Sequence, residues 1–215
     1  METVRPLLTQ GNGKVGASIH LWSIPAKDTC PGSTGLCQAV CYASQARFTL
    51  KSVKERLDWS YQQCLRDDFV SRMASEIRKK GVLVLRVHVA GDFFSEEYAR
   101  KWLDIMRLSP RVRFYFYTRS WRIPEIASVL EQMAALRCCR AWYSLDAQTG
   151  IPARVPPGVR LAYLQAEADE EPELLDLLFV VRRLKRHAKR VGLALLCDHQ
   201  ADKRENCGHC GKCFR

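Results

Sequence analysis

No apolar run in the sequence approaches the roughly 18 to 20 residues a helix needs to cross a bilayer. The opening residues, METVRPLLTQGNGKVG, also lack the apolar segment of a secretory leader. A membrane protein and a secreted disulfide scaffold are therefore not expected, and the chain reads as cytoplasmic. Repeats of 20 to 50 residues and low-complexity tracts are missing too, which removes solenoid and disordered architectures. Acidic residues are scarce: 23 Asp and Glu face 34 Lys and Arg, a formal charge of +11. A surface that basic favours a polyanionic partner, such as nucleic acid or an anionic substrate.

What remains is a chain of 215 residues, 47% hydrophobic and 27% charged. That is enough to bury a core in one medium-sized domain without covalent staples. It nevertheless carries ten cysteines. Cytosolic thiols are kept reduced, so clustered cysteines point to metal or redox ligands rather than disulfides.

Two groups stand out. Cys30, Cys37 and Cys41 form C-x6-C-x3-C, with Tyr42 next in line. Three thiolates suit a [4Fe-4S] cluster with one iron left open, whereas zinc more often shows paired C-x2-C knuckles and a fourth protein ligand. The plainer reading is three thiols packed under a loop. Cys197, Cys207, Cys210 and Cys213 form C-x9-C-x2-C-x2-C, whose C-x2-C-x2-C core is the local spacing of ferredoxin-type loops. Gly208 and Gly211 let the backbone curl around such a centre. A closed four-cysteine zinc site fits the same residues. His199 and His209 are either substitute ligands or solvent-facing spacers. Cys64, Cys138 and Cys139 lack partner spacing and are assigned no chemistry.

The remaining pattern alternates. Strands are expected at 17–24, 82–90, 112–118, 139–145, 159–165 and 192–197, from β-branched and aromatic runs. A helical region spans about 44–80 and stops at Gly81. Ser95 caps the next helix, which turns Tyr98, Trp102 and Ile105 inward. Pro124 opens a helix carrying Ile126, Val129, Leu130 and Met133. Leu174, Leu177, Leu178, Val181 and Leu184 mark the face of a last one. Six strands separated mostly by helices predict a mostly parallel α/β fold; only the 145–159 connection looks short and non-helical.

Such folds place function where strands end. The strand exits carry the first cysteine group, Gly91 and Asp92, Arg119 and Trp121, Asp146, Gln165 and Glu167, and the terminal cysteines. Asp92 either accepts from an ammonium group or caps a helix. Arg119 suits a phosphate or carboxylate. Trp121 either stacks on a ring or closes the core, and His88 reads as a core histidine. The run RRLKRHAKR (182–190), with Arg72, Arg78, Lys79 and Lys80, is a solvated helix face or a nucleic-acid stripe.

The stretches CPGSTGLCQAVCYA, VHVAGDFFSEEYARKW, FYFYTRSW and CGHCGKC together resemble, in order and over nearly the whole chain, the phage- and plasmid-borne gene-product-eighty-eight family. More distantly the layout is similar to the radical S-adenosylmethionine superfamily. Its usual spacing is C-x3-C-x2-C, and its second strand commonly ends in a glycine pair where this chain has AGDFF. The resemblance implies a six-stranded partial (β/α) barrel over 1–197, with a cysteine-rich extension, 198–215, packed on it. It implies an open [4Fe-4S] cluster on Cys30, Cys37 and Cys41 and an auxiliary cluster on the four late cysteines. S-adenosylmethionine would then lie near Tyr42, Gly91 and Asp92, with Arg119 and Trp121 at the rim. The expected function is an iron–sulfur enzyme that draws on an electron donor and acts on an anionic substrate, a nucleotide-like one among the candidates. The alternatives are a redox sensor or sulfur-handling enzyme, and a zinc- or cluster-stabilised nucleic-acid-binding module without catalysis.

Overall fold

Strands form where β-branched and aromatic residues run together, and they join one sheet. The computed structural model describes residues 5–11, 13–167, 170, 175–181, 196–197 and 206–215. Its strands are β1 (Thr9–Gln10), β2 (Ile19–Trp22), β3 (Val84–Val87), β4 (Arg113–Thr118), β5 (Cys139–Leu145), β6 (Val159–Gln165) and β7 (Leu177–Val180). Among the described residues they make a seven-stranded sheet in sequence order. The first pair is antiparallel and all the others are parallel.

The helices are α1 (Gly35–Ala39), α2 (Lys51–Leu65), α3 (Phe69–Lys79), α4 (Glu96–Leu108), α5 (Pro124–Ala134) and the single turn α6 (Cys207–Cys210). Strand residues alternate between faces, because side chains along a strand repeat every second residue. Leu85, Val87, Phe114, Phe116, Ala141 and Tyr143 therefore share a core with Met73, Trp102, Ile105 and Val129 of the helices. On the opposite face Ile19, Leu21 and Tyr115 pack with Val15 and Phe214, and Trp142 packs with Ala162 and Leu177. The last ten residues cover that second face. No helix among the described residues is long and apolar enough to cross a membrane.

Several expectations are met and others are corrected. The strands at 139–145 and 159–165 begin and end where the sequence places them. Ser95 accepts from the Tyr98 amide at 3.2 Å as the cap of α4, and Pro124 sits in the first turn of α5. The region 44–80 is two helices, α2 and α3, preceded by 3-10 turns at Tyr42–Ser44 and Ala46–Thr49. The strand expected at 17–24 is shorter, and the run 82–90 stops at Val87 because His88 adopts a left-handed backbone with φ 63°. The helix expected around Leu177, Leu178 and Val181 is a correction: Leu177–Val180 is β7, parallel to β6. A short apolar run buried on both faces fits a helix stripe and a central strand equally well. Leu178 and Val180 face the helices while Leu177 and Phe179 face the other way. β1, like β7, is a strand not anticipated from the sequence; its two exposed residues carry no periodic signal. Leu174, Leu184, the basic run 182–190 and most of 192–197 lie outside the described residues. Leu196 alone forms a parallel bridge, to Leu178.

His88 is buried as expected of a core histidine. Trp22 Nε1 donates to Tyr98 Oη at 2.8 Å, and that hydroxyl lies 2.8 Å from His88 Nε2. The direction of that hydrogen bond follows the histidine tautomer. Burial, and then the charge of Arg86, depress the His88 pKa to about 3. A histidine depressed in the folded state binds fewer protons than in the unfolded chain. Its contribution is full above an unfolded pKa of about 6.5 and is lost as the pH falls from there towards 3. The urea midpoint should therefore drop between pH 7 and pH 5. His88→Asn, which tolerates the left-handed backbone, should flatten that drop; an unchanged slope would show that His88 does not cause it.

Candidate metal centre

The loop leaving β2 carries the first cysteine group to the carboxyl ends of the parallel strands. Its shape follows from small local choices. Thr34 caps α1: its Oγ1 accepts from the Cys37 amide at 3.0 Å and donates to Asp146 Oδ2 at 2.7 Å. Gly32 lies so close to the exit of β4 that a Cβ there would run into the Arg119 carbonyl oxygen. Arg122 Nη1 donates to the Gly32 carbonyl at 3.1 Å, and the Leu36 amide donates to Gln148 Oε1 at 2.8 Å. The cysteine loop is thus held against the ends of β4 and β5.

A buried polar network lies beneath it. Asp146, fully buried after β5, accepts from the amides of Gln148 and Thr149 at 2.9 Å each. Arg119 Nη1 lies 2.7 Å from Asp146 Oδ2, a close ion pair without an aligned hydrogen bond, and Nη2 donates to the Leu145 carbonyl at 3.4 Å. Asp92 accepts from the Phe93 amide at 2.8 Å, Thr118 Oγ1 at 2.6 Å and the Arg119 amide at 2.8 Å. Burial raises the Asp92 pKa while these donors oppose the rise. Gly91 precedes it at φ +80°, where a Cβ would collide with Ile24 and Thr29. Asp92, Arg119 and Asp146 therefore join the ends of β3, β4 and β5 to the cysteine loop.

The three early thiols gather here. Burial, then Asp92, Cys37 and Cys41, push Cys30 up to about 12, against the Lys27 backbone contact. Cys37 is raised by burial, with Arg119 opposing and Cys41 adding to the rise. In the metal-free chain at neutral pH these two are thiols, so a metal must displace their protons. Tyr42 is exposed over about half its surface, and its hydroxyl donates to the Val89 carbonyl. Trp121 stacks on Tyr143 at 5.5 Å and donates from Nε1 to the Ser144 carbonyl at 3.2 Å. That is the core-closing role. Gln165 is buried and donates to the Glu170 carbonyl at 3.0 Å, whereas Glu167 is exposed.

The late cysteines sit elsewhere than expected. The 206–215 segment lies across the second face of the sheet, not at the rim. Trp142 Nε1 donates to the Cys213 carbonyl at 2.9 Å, Arg160 to the Lys212 carbonyl at 3.3 Å and Arg140 to the Arg215 carbonyl at 3.2 Å. The Cys207 and Gly208 amides donate to the Lys14 and Val15 carbonyls at 3.0 Å each. Tyr117 Oη contacts Cys213 Sγ at 2.9 Å. Cys207 and Cys213 are raised by burial, Cys213 to about 11; Arg86 opposes both rises and Cys197 adds to both. His209 is exposed as a spacer would be, and His199 lies outside the described residues. Among the described residues no three His, Cys, Asp or Glu side chains stand in a metal-holding arrangement. The thiols are grouped without being at chelating distance. Cys64 and Cys139 are buried in the core, consistent with packing roles.

Along α3 and its caps, Arg72 pairs with Asp68 at 3.7 Å and Lys80 with Glu76 at 2.9 Å, which engages half of the four cations singled out there. Sequence reasoning passed over Thr34 and Arg86. Thr34 was legible as a cap preceding a turn, and Arg86 as a lone cation inside the apolar run VLVLRVHVA.

The chain is similar to known phage proteins. Gene 88 protein of Mycobacterium phage L5 is 29% identical over 170 residues, covering 72% of this chain and 69% of its own length. Gene 88 protein of Mycobacterium phage D29 is 28% identical over 170 residues, covering 72% and 68%. No solved structure matches. The model of the family described as Gene product 88 matches residues 5–215, and the chain belongs to that family.

Proposed function

We propose that the chain is an iron–sulfur enzyme of the radical S-adenosylmethionine kind, built on a partial (β/α) barrel. The observation that carries this reading is the gathering of Cys30, Cys37 and Cys41 in one loop at the carboxyl ends of parallel strands, beside Asp92. The sequential strand order supports the barrel, since adding each strand to the same edge leaves the crossover helices on one face and lets the sheet curl.

In this reading Cys30, Cys37 and Cys41, as thiolates, hold a [4Fe-4S] cluster with one iron free of protein ligands. Cys197, Cys207, Cys210 and Cys213 hold a second centre, with zinc as the alternative there. When loaded and reduced by a low-potential electron donor, the first cluster would pass one electron to the sulfonium of S-adenosylmethionine, breaking a carbon–sulfur bond and leaving a radical that attacks the substrate. The chain's own residues bind and orient. Asp92 Oδ2, with one amide already on it, accepts from the cofactor's ammonium. Gly91, packed against Ile24 and Thr29 in a left-handed turn, presents Asp92 and the following backbone to the cofactor. Tyr42 offers its ring to the adenine. Arg119 holds the cysteine loop through Asp146, and with Trp121 it frames the rim. A basic chain fits an anionic substrate, and a reducing cytoplasm keeps such thiols available.

Reduced, anaerobically purified protein incubated with S-adenosylmethionine should release 5′-deoxyadenosine. Intact clusters with no such product would refute the radical chemistry and leave the redox-sensor or sulfur-handling reading.

A further inference from the structure

The second face of the sheet holds a cation that no acid among the described residues pairs with. Arg86 projects from the third position of β3, inside an otherwise apolar strand. Among the described residues no carboxylate forms an ion pair with it, and its Nε is buried without a hydrogen-bond partner. Its guanidinium lies 5.9 Å from the ring centre of Tyr115 and 5.5 Å from that of Tyr117. Tyr115 is buried, and its hydroxyl faces the Arg86 side chain without an aligned hydrogen bond to it or to any other described residue. Burial works against the Arg86 charge, while Tyr42, Tyr115, Tyr117 and Cys213 around it outweigh that effect and raise its pKa. Those neighbours are phenols and a thiol rather than carboxylates. A half-buried guanidinium with its Nε shielded from water, facing a buried hydroxyl, leaves hydrogen-bonding capacity that an anionic group seated between them would use.

The neighbours indicate what it is. Tyr115 packs in the same cluster as Cys207 and Cys213, and Tyr117 already contacts Cys213 Sγ. A four-iron cluster with four thiolates carries a net charge of about −2 and presents sulfur acceptors. We infer that Arg86 and Tyr115 are positioning residues of the late cysteine centre, supplying its counter-charge and hydrogen bonds to its sulfur and thereby setting its reduction potential. This rests on the reading that Cys197, Cys207, Cys210 and Cys213 hold an iron–sulfur cluster.

Reduction adds one negative charge to a cluster, and a nearby cation or donor favours the reduced form. The test is a redox titration of the full chain followed by electron paramagnetic resonance. The late centre is the signal that survives in Cys37→Ala. Arg86→Met should make its midpoint potential more negative by at least a tenfold change in the reduced-to-oxidised ratio, 59 mV for one electron. Arg86→Lys, which keeps the charge, should recover most of that shift. Tyr115→Phe should move the potential the same way by less. Loss of late-centre iron in Arg86→Met but not in Arg86→Lys supports the same role. Equal potentials with full iron content in all variants would overturn the inference and leave the cluster reading standing. Loss of iron in both Arg86 variants, with Tyr115→Phe at the wild-type potential, would overturn it as well. Wild-type protein with no iron at the late cysteines would overturn both.

Discussion

Asp146→Ala should lower the free energy of unfolding by about 3–5 kcal/mol, the usual cost of removing one partner of a buried ion pair. Asp146 is fully buried, and Arg119 is 7% exposed, so water cannot take over the lost contact. The substitution also strands the Gln148 and Thr149 amides and the Thr34 hydroxyl that Asp146 accepts. Because Thr34 caps α1, the cysteine loop should loosen with it. Urea unfolding measures the stability, and iron content measures the loop. Asp146→Leu combined with Arg119→Met removes both charges and should recover part of the loss, as pairs in direct contact do not add. A change below 1 kcal/mol in the single variant would show that the pair does not organise this end of the sheet.

Cys37→Ala should abolish the first centre. Cys37 lies on α1, with its amide held by Thr34, between Cys30 and Cys41 in the chain. Three protein ligands are the fewest that hold an open cluster, so two do not suffice. Iron and sulfide should fall by about half while the late centre stays, and no 5′-deoxyadenosine should form. The fold should survive, because Cys37 is half-buried and outside the main core. Full iron content with undiminished turnover would place the active cluster elsewhere.

The legible parts of the fold share one property: their pattern has a single reading. FYFYT and CRAWYSL alternate between two buried faces, and α4 announces itself through Ser95, Glu96 and Glu97 before its apolar stripe. The run LLFVV does not discriminate, since an unbroken apolar run satisfies helix and strand alike; only the pairing of Leu177–Val180 with β6 decides it. At the site, residue types and spacing singled out the seven cysteines, Gly91, Asp92, Arg119 and Asp146. Local sequence could not indicate that Arg119 would pair with Asp146, because that contact joins the ends of two strands. Nor could it place the terminal cysteines on the sheet face. Their docking depends on Tyr117, Trp142, Arg140 and Arg160, from three strands.

The most direct test of the account is a metal and acid-labile sulfide analysis of the full chain purified without oxygen. Two four-iron clusters predict about eight irons and eight sulfides per chain. Zinc in place of iron, with no sulfide, would contradict it.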